Sequence, residues 1–98
     1  MVRLERRVFP GRSDQVARAR RFVTRVLDGC PVADEAVLCV SELTTNTLLH
    51  TASGSKGGEF EVIVQRRKSS VLIAVRDDGS RSTPAAQTFD GTSEGGRG

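Results

Sequence analysis

Glu42, Asn46 and His50 recur every four residues inside a stretch otherwise rich in Ala, Val and Leu. On a helix this spacing sets a carboxylate, an amide and an imidazole along one face, drifting slowly around the axis, with Cys39 one turn earlier on the same stripe. A carboxylate and an amide oxygen are hard donors suited to Mg²⁺, an ion that keeps water and substrate phosphate in its shell. A carboxylate one turn away could instead orient or deprotonate an attacking hydroxyl or water. Buried in a row, such groups are costly unless something satisfies them, and a bound ligand or ion is one supplier. The same residues also admit a structural role, with Glu42 paired to an arginine of the preceding helix, Asn46 capping backbone and His50 a satisfied core histidine.

A second candidate comes from strand parity. Val71, Ile73 and Val75 alternate and define an inward face, and two residues further on Asp77 falls on that face. It is a carboxylate delivered to the end of a core layer, able to accept from an exocyclic amino group or a water. Gly79 lets a flat ligand approach the backbone closely. Asp78-Gly79 is equally an ordinary turn after a strand. The third candidate, Gly95-Gly96-Arg97-Gly98, is backbone that could wrap phosphates as a nest, or a flexible tail.

The elements that would position these groups follow from patterning. Residues 2–9 alternate, with Val2, Leu4 and Val8 on one side and Arg3, Glu5 and Arg7 on the other; Arg6 and Phe9 break the rule and Pro10-Gly11 ends the run, which predicts a first or edge strand. Ser13 offers an N-cap with Asp14 in the first turn. Val16, Ala19, Phe22, Val23, Val26 and Leu27 then recur at helical spacing, with Arg18, Arg21 and Arg25 off the stripe and Gly29 placed for a left-handed cap. Those arginines suit phosphate, an acidic partner or simply water. A second helix runs from near Pro31 to about Ala52, apolar almost all round, so it is expected to be buried against a sheet. Beyond the Ser53–Gly58 turn cluster, Phe60, Val62 and Val64 and then Val71, Ile73 and Val75 predict an antiparallel hairpin joined through residues 66–70. From Gly79 onward there are five Gly and six Ser or Thr, with Phe89 the only large apolar side chain, which predicts a mobile loop or tail.

Composition bounds the function. Ninety-eight residues allow one domain. The net charge of +3 is mild, yet residues 1–30 carry eight Arg against three acids (+5) while residues 31–98 carry seven bases against nine acids (−2). The basic excess therefore belongs to the amino-terminal region, and no groove-reading motif accompanies it. With four Phe and no Trp or Tyr there are few platforms for stacking single-stranded bases. No apolar run approaches the ~20 residues of a membrane span. The start lacks the apolar core of a signal peptide, and Cys30 and Cys39 are an isolated pair expected to be reduced thiols, which together suggest a cytoplasmic protein.

Taken in order, the three polar features resemble the Bergerat-fold (GHKL) ATP-binding superfamily, and within it the small bacterial anti-sigma-factor serine/threonine kinases and related stand-alone ATP-binding regulators. Ser41-Glu42-Leu43-Thr44-Thr45-Asn46-Thr47-Leu48-Leu49-His50 is similar to that family's N box, Val75-Arg76-Asp77-Asp78-Gly79 to its first glycine box, and Gly96-Arg97-Gly98 to the opening of its second. Phe9-Pro10-Gly11 and the Cys30-Pro31 junction also fit the family layout. The resemblance implies an α+β fold, a two-layer sandwich of helices on an antiparallel sheet. In it, residues 1–78 are the ATP-binding core and residues 79–98 a Gly/Ser-rich lid segment.

By position, the resemblance implies that Asn46 holds Mg²⁺ on the nucleotide phosphates, that Glu42 is the base for a substrate hydroxyl, and that Asp77 accepts from the adenine amino group with Gly79 giving clearance. Gly96 and Gly98 would belong to the lid, and His50 to the ligand-facing stripe. The cofactors implied are ATP and Mg²⁺. The partners implied are an antagonist protein phosphorylated on serine, a sigma factor and a second copy of the chain. Two departures stand against the pattern. Ser80-Arg81-Ser82 occupies the place of a second glycine, and the sequence stops at Gly98, where relatives continue with an apolar helix and a further strand. That leads to the expectation of a three-stranded sheet lacking the C-terminal helix and strand, in a fragment, a shortened paralogue or a chain completed by dimerisation. The alternative function is a non-catalytic nucleotide-sensing or protein-binding module.

Overall fold

Three phenylalanines from three different elements meet in the core. Phe9 stacks on Phe60 with ring centroids 5.4 Å apart, and the Phe22 ring approaches Phe9 edge-on at 6.1 Å, both favoured aromatic arrangements. The computed structural model describes residues 3–50, 58–77 and 85–90, with the side chain of residue 50 not described. The elements run β1 (Arg3–Pro10), a short 3₁₀ turn (Ser13–Gln15), α1 (Val16–Val26), α2 (Ala33–His50), β2 (Glu59–Arg66), β3 (Ser70–Asp77) and β4 (Ala85–Asp90). The four strands form one antiparallel sheet in the order β1-β2-β3-β4. Two helices and an antiparallel sheet make the α+β architecture expected.

The hairpin forms as its alternation predicts. Phe60, Val62 and Val64 of β2 and Val71, Ile73 and Val75 of β3 are all buried, together with Ala19, Phe22, Val23, Val26 and Leu27 from the first helix and its end. Gly29 closes that helix at φ +80°, a conformation that favours glycine. The start differs from the expected Ser13 cap: the chain enters through the 3₁₀ turn with Arg12 at its cap position and no side-chain capping bond.

Three features depart from or go beyond the expectations. The first is the parity of β1, which the broken alternation left open: Leu4 and Val8 are each 53% exposed while Phe9 is buried. Strand parity is all-or-none, so the side that wins its large aromatic carries every second residue with it. Arg7 therefore lies on the helix-facing side, and its guanidinium sits 5.9 Å from the Phe9 centroid and 6.0 Å from that of Phe22. Its stem covers apolar surface while the head stays in water.

The second is α2, which is not buried all round. Its packed side is Ala36, Val40, Thr44 and Thr47, whereas Leu38 is 63% and Leu49 70% exposed. The third is the segment after Gly79, which contains a strand. Ala85–Asp90 pairs along β3 from Val75↔Ala85 to Ser70↔Asp90, so the sheet has four strands rather than three. Within β4 only Phe89, opposite Val71, packs against the core. The strand is held mainly by β3's backbone, which has no signature in side-chain alternation.

The outer face of the sheet, away from the helices, carries Leu4, Val8 and a charged cluster in which Glu61 accepts from Arg6 at 3.0 Å and lies 3.7 Å from Arg76. Phe60→Ala should destabilise the domain by about 3–5 kcal/mol, since it removes a fully buried aromatic that collapse cannot refill. Leu38→Gln, on an exposed helix face, should change stability by less than about 0.5 kcal/mol. Urea unfolding of the two variants checks the pair.

Candidate functional site

The polar stripe of α2 is placed by which side of the helix packs. At 3.6 residues per turn, Cys39, Asn46 and Glu42 lie at roughly 60°, 80° and 120° to one side of Ala36, and Val37 at roughly 100° to the other. Val37 lines a small cleft with Ala17, Arg20, Arg21 and Thr24 of α1, so that side of α2 faces α1. The Cys39–Asn46–Glu42 stripe is therefore on the flank turned away from α1. Beneath it, α2 lies along β3 and reaches β4.

This placement removes the structural reading in which Glu42 pairs with an arginine of the first helix. Glu42 and Asn46 are exposed, and neither has a hydrogen-bond or ion-pair partner among the described residues. It also corrects the premise that they are buried groups in need of satisfaction. A carboxylate and an amide one turn apart stand open on one flank, free to meet a ligand.

Their spatial relation to Cys39 has an electrostatic signature. Burial, and secondarily the charge of Glu42, raise the Cys39 thiol pKa above its ordinary value. A half-buried thiol in apolar surroundings beside a carboxylate is poorly disposed to form the thiolate.

Asp77 is where strand parity puts it. It closes β3 on the face of Val71, Ile73 and Val75, half-buried, with Phe60 as its partner in register. It is engaged within the protein rather than free. Gly79, Gly96 and Gly98 lie outside the described residues, as does the side chain of His50, whose backbone ends α2.

Two buried residues of α2 had no role in the sequence reading. Thr44 is fully buried and its Oγ1 donates to Val40 O at 2.7 Å and to Ser41 O at 3.1 Å, and Thr47 packs in the next turn. These hydroxyls sit inside the polar run Thr44–Thr47, which hides the packed side of the helix. The signal that reveals it is spacing, since Ala36, Val40, Thr44 and Thr47 follow one another at three or four residues.

The donor chemistry fits a nucleotide-bound Mg²⁺. The Asn46 amide oxygen is a single hard, unengaged donor on an open flank, and Mg²⁺ held by substrate phosphates takes few protein ligands. A dedicated protein cage is not present: among the described residues no group of three or more His, Cys, Asp or Glu side chains is placed to hold a metal. Among the same residues no helix is long and apolar enough to cross a membrane.

The chain matches the family model of the histidine kinase-like ATPase domain over residues 9–98. No curated protein matches it.

The geometry of the flank is checked by thiol reactivity in a Cys30→Ser background. Glu42→Gln removes a negative charge that disfavours the Cys39 thiolate, so alkylation by iodoacetamide at pH 8 should accelerate roughly two- to fivefold, the scale of an exposed charge interaction. Asp34→Asn, at the start of α2, should leave the rate unchanged.

Proposed function

The chain belongs to the histidine kinase-like ATPase domain family, and on that premise we propose that it is an ATP·Mg²⁺-binding regulator of the anti-sigma-factor serine/threonine kinase type. In this reading it transfers the γ-phosphoryl group to a serine of an antagonist protein, and it sequesters a sigma factor in the cytoplasm, with a second copy of the chain as a further partner. The observation that carries the reading is the α2 flank, where Glu42 and Asn46 stand exposed and unengaged above β3, the strand that ends in Asp77.

The roles follow from the chemistry of each group. ATP·Mg²⁺ supplies the phosphoryl group and neutralises its charge when bound. Asn46 holds the ion through its amide oxygen, and Asp77 accepts from the adenine amino group, which distinguishes adenine from a base with a carbonyl at that edge. Gly79 would give the base clearance, and Gly96 and Gly98 would belong to the lid over the phosphates. Glu42 orients the serine hydroxyl and takes its proton as the Oγ–P bond forms and the bond from the γ-phosphorus to ADP breaks. Catalysis of this kind is mainly positioning and charge neutralisation, and one carboxylate on an accessible flank lets a protein substrate reach it.

Calorimetry and a transfer assay test the assignment. Asp77→Ala should weaken ATP and ADP alike by roughly tenfold or more, the worth of a hydrogen bond to a charged group. Asn46→Ala should weaken ATP mainly when magnesium is present, with little change in EDTA. Glu42→Ala should leave the ATP Kd within about twofold while abolishing transfer to the antagonist. Transfer that survives Glu42→Ala would remove Glu42 as the base. ATP binding with no transfer by the parent protein would leave a nucleotide-sensing module.

A further inference from the structure

The basic excess of the first thirty residues is concentrated at one edge of the fold, far along the sheet from β4. Between β1 and α1 lies a cleft of about 270 Å³ whose walls carry Arg7, Arg18, Arg21 and Arg25 and no acidic residue. None of these four has an ion-pair partner among the described residues, whereas Arg3, Arg6, Arg12 and Arg76 each do. Arg18, Arg21 and Arg25 are spaced to share one face of α1. Arg7 is held over the Phe9 and Phe22 rings. Gln15, only 5% exposed, also lines it, and among the described residues its Oε1 has no hydrogen-bond partner.

The rim of the cleft is a sheet edge. Gly11 N–H donates to Gly58 O at 2.8 Å, continuing the β1–β2 register by one pair. Antiparallel ladders alternate, so Phe9, Arg7 and Glu5 bond β2 while the N–H and C=O groups of Leu4, Arg6 and Val8 point away from the sheet. Unpaired groups on an edge strand are a template for another strand.

We propose that this cleft docks an extended acidic segment of a partner protein, which pairs with the free edge of β1 as a fifth strand and sets its carboxylates against Arg18, Arg21 and Arg25. The spacings agree. Alternate side chains on a strand are about 6.8 Å apart, and arginines three or four residues apart on a helix are separated by about 4.5–6 Å along the axis. The charge also selects the occupant. A second copy pairing β1 to β1 would bring Arg3, Arg6 and Arg7 of both chains together, which an acidic strand does not. The inference stands on the β1–α1 edge and is independent of what binds the α2 flank.

Fluorescence anisotropy of the full chain with a labelled peptide alternating glutamate and valine tests it. Arg18→Gln, Arg21→Gln and Arg25→Gln together should weaken binding roughly tenfold or more, as loss of charge-assisted hydrogen bonds requires. Val8→Pro removes an N–H that faces the free edge, a position where strands tolerate proline, and should weaken binding similarly while the circular-dichroism melting profile is kept. Arg67→Gln with Lys68→Gln, at the β2–β3 turn, should leave affinity unchanged. The proposal is overturned by any one of several results. These are no binding of the peptide, an equal loss in the Arg67/Lys68 variant, or undiminished binding of a peptide with proline at every valine. Tighter binding of a DNA duplex, or sedimentation showing parent dimers that Val8→Pro dissociates, would overturn it equally.

Discussion

The stacking of Phe9 on Phe60, with Phe22 edge-on, is the constraint on which the rest of the structure depends. A chain of this size has one core layer, and most of that layer is aliphatic. The aromatic cluster is where β1, β2 and α1 are tied together, so it fixes at once which side of β1 faces inward and where α1 lies. Once Phe9 is inside, Arg7 must share its face, and a cation is drawn over two rings rather than left on the outer surface. The guanidinium of Arg66, donating to Val26 O at 3.5 Å, ties the far end of the same strand pair to the end of α1.

With α1 seated at the β1–β2 end, α2 is left to cover β3 and reach β4. The two helices thus divide the sheet between them, and each has one flank pressed to the other and one flank turned outward. The outward flank of α2 carries a carboxylate and an amide, and the outward flank of α1 carries arginines. A chain whose overall charge is nearly balanced therefore presents two chemically opposite edges. The negative and polar edge carries the residues for which a nucleotide role is proposed, and the positive edge is the one that no nucleotide role absorbs.

Much of this was legible in the residues, and the failures have physical causes. The hairpin of β2 and β3 and the stripe of α1 were readable because long aliphatic alternations and helical stripes leave few competing registers. The inward side of β1 was not legible because Phe9 breaks the alternation that Leu4 and Val8 follow. Burial is decided by the area and fit of a side chain, not by the number of apolar positions. β4 was invisible because Ala85, Ala86, Gln87 and Thr88 are exposed and contribute backbone rather than side-chain pairing. At the site, the spacing of Glu42 and Asn46 correctly put them on one flank, and parity correctly put Asp77 at the end of the inward face. Their burial was overestimated because threonines, not leucines, complete the packed side of α2. Gln15 gave no signal at all, since a polar residue at a helix entrance usually faces water.

Among the described residues the helices cover one side of the sheet, and Leu4, Val8 and the Arg6–Glu61–Arg76 cluster lie on the other. Many strand residues on that other side, Ala74 excepted, are thus less committed to holding the fold together. Sequence drift on that surface is filtered by solubility and by association, while drift on the opposite surface is filtered by folding. Among natural variants of this chain, the two sets of positions should therefore record separate histories: one of partners gained and lost, the other of a core that has little room to change.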